Sequence, residues 1–366
     1  MIFRNRRARG IAAWAILCIL PAAGTAIASP SYTFTDLGTL GGSLTQAKDI
    51  NNSGQVVGGA TTAGNVSHAF LYSGGTMTDL GTLGGVSSYA LGINNSGQVV
   101  GGFSTNGFNN HAFLYSGGTV TDLGTLGGSS SASGINDSGK VVGEATTAGN
   151  FSHAFLYSGG TMTDLGTVGG TDSSASGIND SGKVVGGSFT AGYAYHAFLY
   201  NGVSMTDIGT LGGSSSEALR INNSGQVVGW SSIAGNAQRA FLYSGGKMID
   251  LGTLGGFSTA SGINNAGQVV GWSGTAGNGN HAFLYSDGAM TDLNMIVSEI
   301  FGWGATYATD INDAGQIVGY GKATDGTTRS FLLTPNAAPV PLPGTMTLFG
   351  SGLAALAWSG RIRRKK

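Results

Sequence analysis

All five histidines of the chain, His68, His111, His153, His196 and His281, stand in one repeated phrase, X-His-Ala-Phe-Leu-Tyr. Imidazoles are common ligands for zinc and other transition metals, so five in register invite a metal-site reading. Repetition argues against it. One histidine per repeat, on a strand set away from the repeat axis, cannot converge with the others on a single ion. The better expectation is a hydrogen bond within each repeat to the aspartate of the next strand. Arg239 and Arg329 replace histidine in two copies, which suits a donor role. The aspartate recurs as Asp36, Asp79, Asp122, Asp164, Asp207, Asp250 and Asp292. A strand-end aspartate ordinarily bonds turn amides. A catalytic role would need one copy to differ from the rest, and none does.

Two further patterns carry possible chemistry. The turns at 310–315 and 49–54 begin Asp-Ile-Asn, like a calcium loop with oxygen ligands at alternate positions. The final bidentate acid is missing, and the first position is Gly or Arg in the other five repeats, so no metal is expected. There is no Gly-x-Ser-x-Gly elbow, His-Glu-x-x-His, phosphate loop or dinucleotide fingerprint. With every histidine assigned to structure, the many Ser and Thr hydroxyls lack a candidate base. The chain is expected to have no catalytic residues and no cofactor, hence no enzymatic activity. If a catalytic site exists, the one place where the repeat is broken enough to hold it is the insertion near Phe301, Gly302 and Trp303.

The elements that position these residues come from a 42–43-residue repeat running between Asp36 and Tyr320. Each copy holds four short strand-like runs divided by turns, in the second copy 89–93, 98–103, 111–115 and 119–126. Glycines at Gly97 and Gly117-Gly118 supply the left-handed conformations of tight hairpins. No repeat sustains a 3.6-residue apolar period, so no helix is expected within it. Ile50, Ile93, Ile135, Ile178, Ile221, Ile263 and Ile311 register the copies, and seven copies of four strands predict an all-β, seven-bladed β-propeller. The body opens on a lone fourth strand near Phe34 and ends on a copy lacking one. Pairing that N-terminal strand with the last blade would close the ring and hide two sheet edges. An open solenoid would instead want terminal caps and evenly stacked parallel turns, and neither is visible.

The most variable stretch is the loop between second and third strands. Phe103, Phe108, Asn109, Tyr193, Tyr195, Trp230, Trp272 and Tyr320 gather there in sequence and are expected on one face of the disc. Flat aromatic faces beside amides suit sugars, which makes Phe103, Phe108, Tyr193, Tyr195, Trp230 and Trp272 the candidate binding residues. Ordinary loop drift on a scaffold is the alternative.

The termini give the address. Residues 1–28 have a basic start, an apolar run at 11–20 and a small-x-small site ending at Ala28, the pattern of a cleaved signal peptide, although a retained anchor would share it. The one cysteine, Cys18, lies in that run, so the mature chain holds no disulfide. The formal charge of −1 hides an asymmetry. Nine of the 17 basic residues flank the two terminal apolar runs, leaving eight in the body against 18 acidic ones, a net −10. Such a body repels phosphate backbones and excludes nucleic acid as a partner. After the repeat body at 29–334 come a linker at 335–344, an apolar run at 345–359 and a basic end. The run is short of the ~20 residues that span a bilayer comfortably, yet a transmembrane helix over 345–366 is expected.

Three resemblances follow from these motifs. The phrases His-Ala-Phe-Leu-Tyr and Gly-Ile-Asn-Asn-Ser-Gly-Gln-Val-Val-Gly resemble the HAF-family extracellular repeat over nearly all of 31–334, a family of surface proteins. Val99-Val100-Gly101-Gly102 is similar to a kelch strand, as structural analogy only. The tail, Val340-Pro341-Leu342-Pro343-Gly344 followed by an apolar run and an Arg cluster, resembles the PEP-CTERM sorting signal in its Val-Pro-Leu-Pro form. That resemblance implies an exosortase-type processing enzyme as partner and transient residence in the inner membrane; a plain C-terminal anchor is the alternative. The chain is thus expected to be an exported, monomeric, non-enzymatic surface or extracellular-matrix protein, structural or adhesive, with exopolysaccharide as a partner. A glycan- or small-ligand-binding propeller using the variable loop face is the other reading.

Overall fold

The computed structural model describes residues 31–336 apart from 106–108, 278 and 305, with the side chains of 298–301 also left out. The signal segment with Ala28, Phe108, the motif Val340, Pro341, Leu342, Pro343 and Gly344, and the expected helix over 345–366 lie outside the described residues. Among the described residues no helix is long and apolar enough to cross a membrane.

Five four-stranded antiparallel sheets and one eight-stranded sheet make up the body. In the second repeat the strands are Ser87–Ile93, Val99–Ser104, Asn110–Ser116 and Thr119–Asp122. The first three match the sequence pattern closely, but the fourth stops at Asp122 instead of continuing to 126. Asp122 Oδ1 accepts the Gly124 amide at 2.8 Å, and Gly124 takes a φ of +77°, which turns the chain out of the strand. Every one of the seven strand-end aspartates accepts the amide two residues on. The turn-amide role expected of them is what the structure contains.

The eight-stranded sheet joins the first repeat, whose inner strand is Gly41–Ile50, to the last, whose three strands are Thr306–Ile311, Ile317–Lys322 and Thr328–Pro335. A single parallel bridge, Leu44 to Thr328, connects them. The last repeat's missing fourth strand is supplied from the other end of the body. Tyr32–Asp36 runs antiparallel to Thr328–Pro335, with Tyr32 opposite Pro335 and Asp36 opposite Phe331. The donor–aspartate pair is therefore made from both ends of the body, Arg329 Nη1 donating to Asp36 Oδ2 at 3.1 Å.

Each repeat buries one phenylalanine completely, Phe70 in the first and Phe331 in the last. These rings, with the paired valines of the second strand, form a chain of small cores rather than one large one. Hydroxyls stitch neighbours together. Ser130 Oγ accepts the Ala112 amide of the preceding repeat at 2.8 Å and donates to Gly124 O at 2.6 Å. Counterparts at Ser88, Ser173, Ser216 and Ser258 do the same.

The insertion before the last repeat forms a helix, Asn294–Phe301, where the repeat pattern led to no helical expectation. Its start is braced by Asp292 Oδ1 accepting the Asn294 amide at 2.8 Å and by Asn294 Oδ1 accepting the buried Thr306 hydroxyl at 2.6 Å. Leu293 and Val297, four residues apart, are fully buried while Met295 is exposed. The apolar positions are simply too few to register as a period.

Tyr32 and Phe34 pack on the last core, and Leu37 and Leu40 on the first. Deleting residues 31–40 should therefore destabilise both cores although the segment is terminal. Each large side chain is worth roughly 1.5–3 kcal/mol when fully buried, and an unpaired edge is exposed as well. A thermal melt decides: a truncated chain that melts with the parent would mean the strand adds nothing to the body.

Candidate functional site in the central cavity

At one end of the molecule the turns between first and second strands meet in two hydrogen-bonded circuits. The first is built from Asn51, Asn94, Asn136, Asn179, Asn222, Asn264 and Asn312, all buried. Each side-chain amide donates to the backbone carbonyl of the next asparagine at 3.0–3.1 Å, and Asn312 donates to Asn51 O. Each side-chain oxygen accepts the amide four residues on, holding its own turn. The second circuit uses the following residue. Asn52 N donates to Asn95 Oδ1, Asn95 N to Asp137 Oδ1, and so on through Asp180, Asn223 and Asn265 to Asp313, whose amide returns to Asn52 Oδ1. The Asp-Ile-Asn turns that resemble calcium loops spend their oxygens on this network.

Behind the turns lies a central cavity lined by a segment of every repeat. Its lining is set by a bulge. In each first strand the pairing slips by one residue after a buried alanine, as between Ala47 and Asp49 or Ala218 and Arg220. A bulge breaks the strict in–out alternation, so two successive residues of the Ala-x-x-Ile phrase reach the cavity. The second of these is glycine in four repeats, Gly92, Gly134, Gly177 and Gly262, and Asp49, Arg220 and Asp310 in the others. The first is Lys48 in the first repeat, and Leu, Ser or Thr elsewhere.

The cavity has two compartments that share Arg220. The one nearer the turns, about 180 Å³, takes in Asp49 and Asp310. Asp310 is 7% exposed, and its Oδ2 accepts the Ile50 amide at 3.3 Å across the junction of last and first repeats. Asp49 Oδ2 accepts the Ile93 amide at 2.7 Å. Burial, then the adjacent Asp49 carboxylate, raises the Asp310 carboxyl well above the usual carboxylate range, and the two hydrogen-bond to each other. The deeper compartment, about 240 Å³, holds Lys48 and Arg220 among Ser133, Ser176, Ser261, Thr309 and two leucines. Arg220 Nη1 donates to the Leu219 and Ser176 carbonyls at 3.1 and 3.4 Å. Burial lowers the Lys48 ammonium pKa, and the nearby Arg220 adds to that.

The sequence-derived residues are placed as follows. Nδ1 of all five histidines sits 2.7–2.9 Å from the aspartate of the next strand, and Arg239 lies 3.9 Å from Asp250. The pairing expected within each repeat is there. The aromatic face is different from expectation. Phe103 is buried, its ring 5.7 Å from that of His111. Trp230 and Trp272 lie within the second strands Val227–Ile233 and Val269–Thr275, half-buried, not on loops. Trp230 Nε1 donates to Glu217 Oε2 at 3.0 Å, and Trp272 packs edge-on against Phe257 and against Tyr307 of the next repeat. Tyr320 stacks on Tyr307. Tyr195 opens the strand Tyr195–Tyr200 against Phe189, and burial, with the carboxylates of Glu217 and Glu144 adding to it, pushes its phenol up to about 12. Trp272 thus reaches the next repeat through Tyr307, whereas Trp230, Tyr195 and Tyr320 make these contacts within their own repeats. Tyr193, 85% exposed at a φ of +61°, is the described ring of the set that faces solvent fully. Trp303 packs against Phe34 and Phe331 in the last core, away from the cavity. Sequence reasoning missed Lys48 and Arg220, and weighed Asp49 and Asp310 only as the starts of calcium-like turns. The signal was there: charged residues stand at the two unspecified positions of Ala-x-x-Ile, where the other copies carry Gly, Ser, Leu or Thr.

Residues 339–364 match the PEP-CTERM protein-sorting motif, which directs export, processing by an exosortase-type enzyme and sorting to the cell surface. No curated protein matches the chain in sequence. Solved structures of similar form include a puromycin-hydrolyzing peptidase from Mycobacterium tuberculosis, at a TM-score of 0.54 and 12% identity over 82% of this chain. The chain spans 53% of that peptidase's length. TolB from Acinetobacter baumannii matches at 0.46 and 12%, over 76% of this chain and 63% of its own. The Aleuria aurantia lectin, a six-bladed β-propeller, matches at 0.34 and 13%, over 70% and 96%. The chain is thus an all-β protein of repeated four-stranded sheets, carrying a surface-sorting signal at its C-terminus.

The acid pair predicts a pH signature. A carboxyl whose folded pKa is raised favours the folded state at low pH, and that contribution is lost as pH rises from about 4, the ordinary carboxylate value, through the folded pKa. Asp310→Asn removes the titration while keeping an acceptor for the Ile50 amide. The variant should melt above the parent at neutral pH, with the gap closing toward pH 4. A gap that does not change with pH would show that the carboxyl pair is not held protonated.

Proposed function

We propose that the chain is a closed seven-bladed β-propeller of the HAF-repeat type that is exported, freed from its tail by an exosortase-type enzyme, and works without catalysis as a structural or adhesive element in an extracellular polysaccharide matrix. The sorting motif at 339–364 carries this reading, because it places the body outside the inner membrane. Closure is supported by the asparagine circuit, which passes through seven repeats and returns from Asn312 to Asn51. It is supported equally by the strand that the N-terminal end of the body lends to the last repeat. A scaffold role suits a molecule whose histidines and strand-end aspartates are all engaged in its own framework.

The processing step is testable directly. In a host with a matching exosortase, Pro341→Ala combined with Pro343→Ala should leave an uncut, membrane-retained chain. The intact mass of the released parent should end upstream of Thr345. Release of a chain still carrying Lys366 would defeat the sorting reading.

The exposure of Tyr193 favours the binding form of this reading, in which the loop face contacts glycan. Tyr193→Ala should weaken co-sedimentation with the host's matrix polysaccharide. Its effect on stability should stay within about 0.5 kcal/mol, as for other exposed loop positions. Unchanged co-sedimentation would remove the loop face from the contact.

A further inference from the structure

We propose that the deeper compartment of the central cavity binds a small oxyanion-bearing ligand, a carboxylate or a phosphate, between Lys48 and Arg220. The compartment is a solvent-open recess of about 240 Å³ whose lining includes both cations and no acidic residue. Four hydroxyls, of Ser133, Ser176, Ser261 and Thr309, share the lining. Hydroxyls can donate to an anion without adding charge, and a guanidinium beside an ammonium is the usual partner set for carboxylate and phosphate oxygens.

The protein compensates Arg220 only in part: the guanidinium acts electrostatically on the Asp310 carboxyl, with no ion pair between them. Among the described residues, neither Lys48 nor Arg220 has a carboxylate within ion-pair distance. Lys48 Nζ lies 5.5 Å from the centre of the Tyr320 ring, a contact that steadies an ammonium but does not cancel it. Arg220 uses Nη1 on two wall carbonyls, which fixes the guanidinium against the cavity wall. Asp49 and Asp310 line the turn-side compartment, which Arg220 also borders, but they hydrogen-bond to each other and accept the Ile93 and Ile50 amides. Burial lowers the Lys48 pKa most and the like charge of Arg220 adds to it, so an anion between the two relieves a repulsion.

The placement is also selective. The bulge carries two residues of each repeat into the cavity, and in the other repeats they are glycine or an uncharged side chain, apart from the two aspartates. The basic pair therefore stands among uncharged side chains in its own compartment. This inference concerns the cavity and holds wherever the protein is delivered.

Calorimetric titration of the purified full chain tests it, with three probes: inorganic phosphate, galacturonate and uncharged galactose. Saturable binding of phosphate or galacturonate, with galactose silent, is the expected result, and which of the two binds identifies the oxyanion. Lys48→Met and Arg220→Gln should each weaken the binding about tenfold or more, since each removes one charge-assisted contact. A melt at matched buffer shows whether each variant folds. If Arg220→Gln does not, Lys48→Met and the comparison of charged with uncharged probe still decide. Failure of both anions to bind up to about 10 mM, a Kd that would correspond to a few kcal/mol at most, would overturn the proposal. So would galactose binding as well as galacturonate, or affinity unchanged in both variants.

Discussion

The structure depends on one demand, that a buried asparagine must have all its hydrogen bonds made. Leaving a buried amide or its partner unsatisfied costs about 1–3 kcal/mol, more than a typical made bond contributes. Here each asparagine secures its own turn through its oxygen and its neighbour's turn through its nitrogen. No repeat can satisfy its turn without the next one in place. The last repeat's amide reaches the first repeat's carbonyl, Asn312 to Asn51, so the requirement has no loose end. The small cores of single repeats could not enforce this arrangement, since apolar burial is non-directional and tolerates sliding.

The turn residues that vary do so in step with that network. Where the turn reads Asn-Asn-Ser-Gly-Gln, the glutamine oxygen accepts the second proton of the asparagine amide, as Gln55 does for Asn51. Where it reads Asn-Asp-Ser-Gly-Lys, in the third and fourth repeats, no such acceptor exists, and the serine hydroxyl donates to the asparagine oxygen instead, Ser138 to Asn136 and Ser181 to Asn179. Lys140 and Lys183 then reach toward the glycine of the following turn. The aspartates of the second circuit likewise pair with asparagine amides, Asp137 with Asn95 and Asp180 with Asn223. What looks like drift between two spellings of the turn is two solutions to one bonding problem.

This explains which parts of the molecule could be read from sequence. Repeat length, strand order, the histidine–aspartate pairing and the lending of Tyr32–Asp36 to the last repeat all follow from local patterns that recur, and recurrence suppresses error. The aromatic face was misread because loop boundaries were drawn up to four residues too early: the strands run on to Ile233 and Thr275. Trp230 and Trp272 follow Val-Val-Gly inside a strand, where alternation turns them toward the neighbouring repeat. Trp272 is covered by Tyr307 of the next repeat, a contact that no pattern within one repeat reports. The helix at Asn294–Phe301 was hidden by its length, since one buried pair four residues apart is not a period. The cavity charges were hidden by the same averaging that revealed the fold. A consensus written as Ala-x-x-Ile discards the two positions at which the copies differ most.

Those positions show how a repeated scaffold can acquire a specific site without disturbing its frame. The bulge residues leave the ladder's strict alternation and face the cavity, where the copies carry glycine or a charge at one position and Leu, Ser, Thr or Lys at the other. Charge of opposite sign is then sorted by depth: two acids near the turns, two cations deeper, with Arg220 common to both compartments. The body's excess of acidic residues does not cancel this sorting. At physiological ionic strength charges on the outer surface are screened within about 8 Å, whereas groups inside a narrow, partly desolvated cavity are screened far less. A negatively charged protein can therefore hold an anion at its axis, provided the anion is small enough to enter and reach both cations at once.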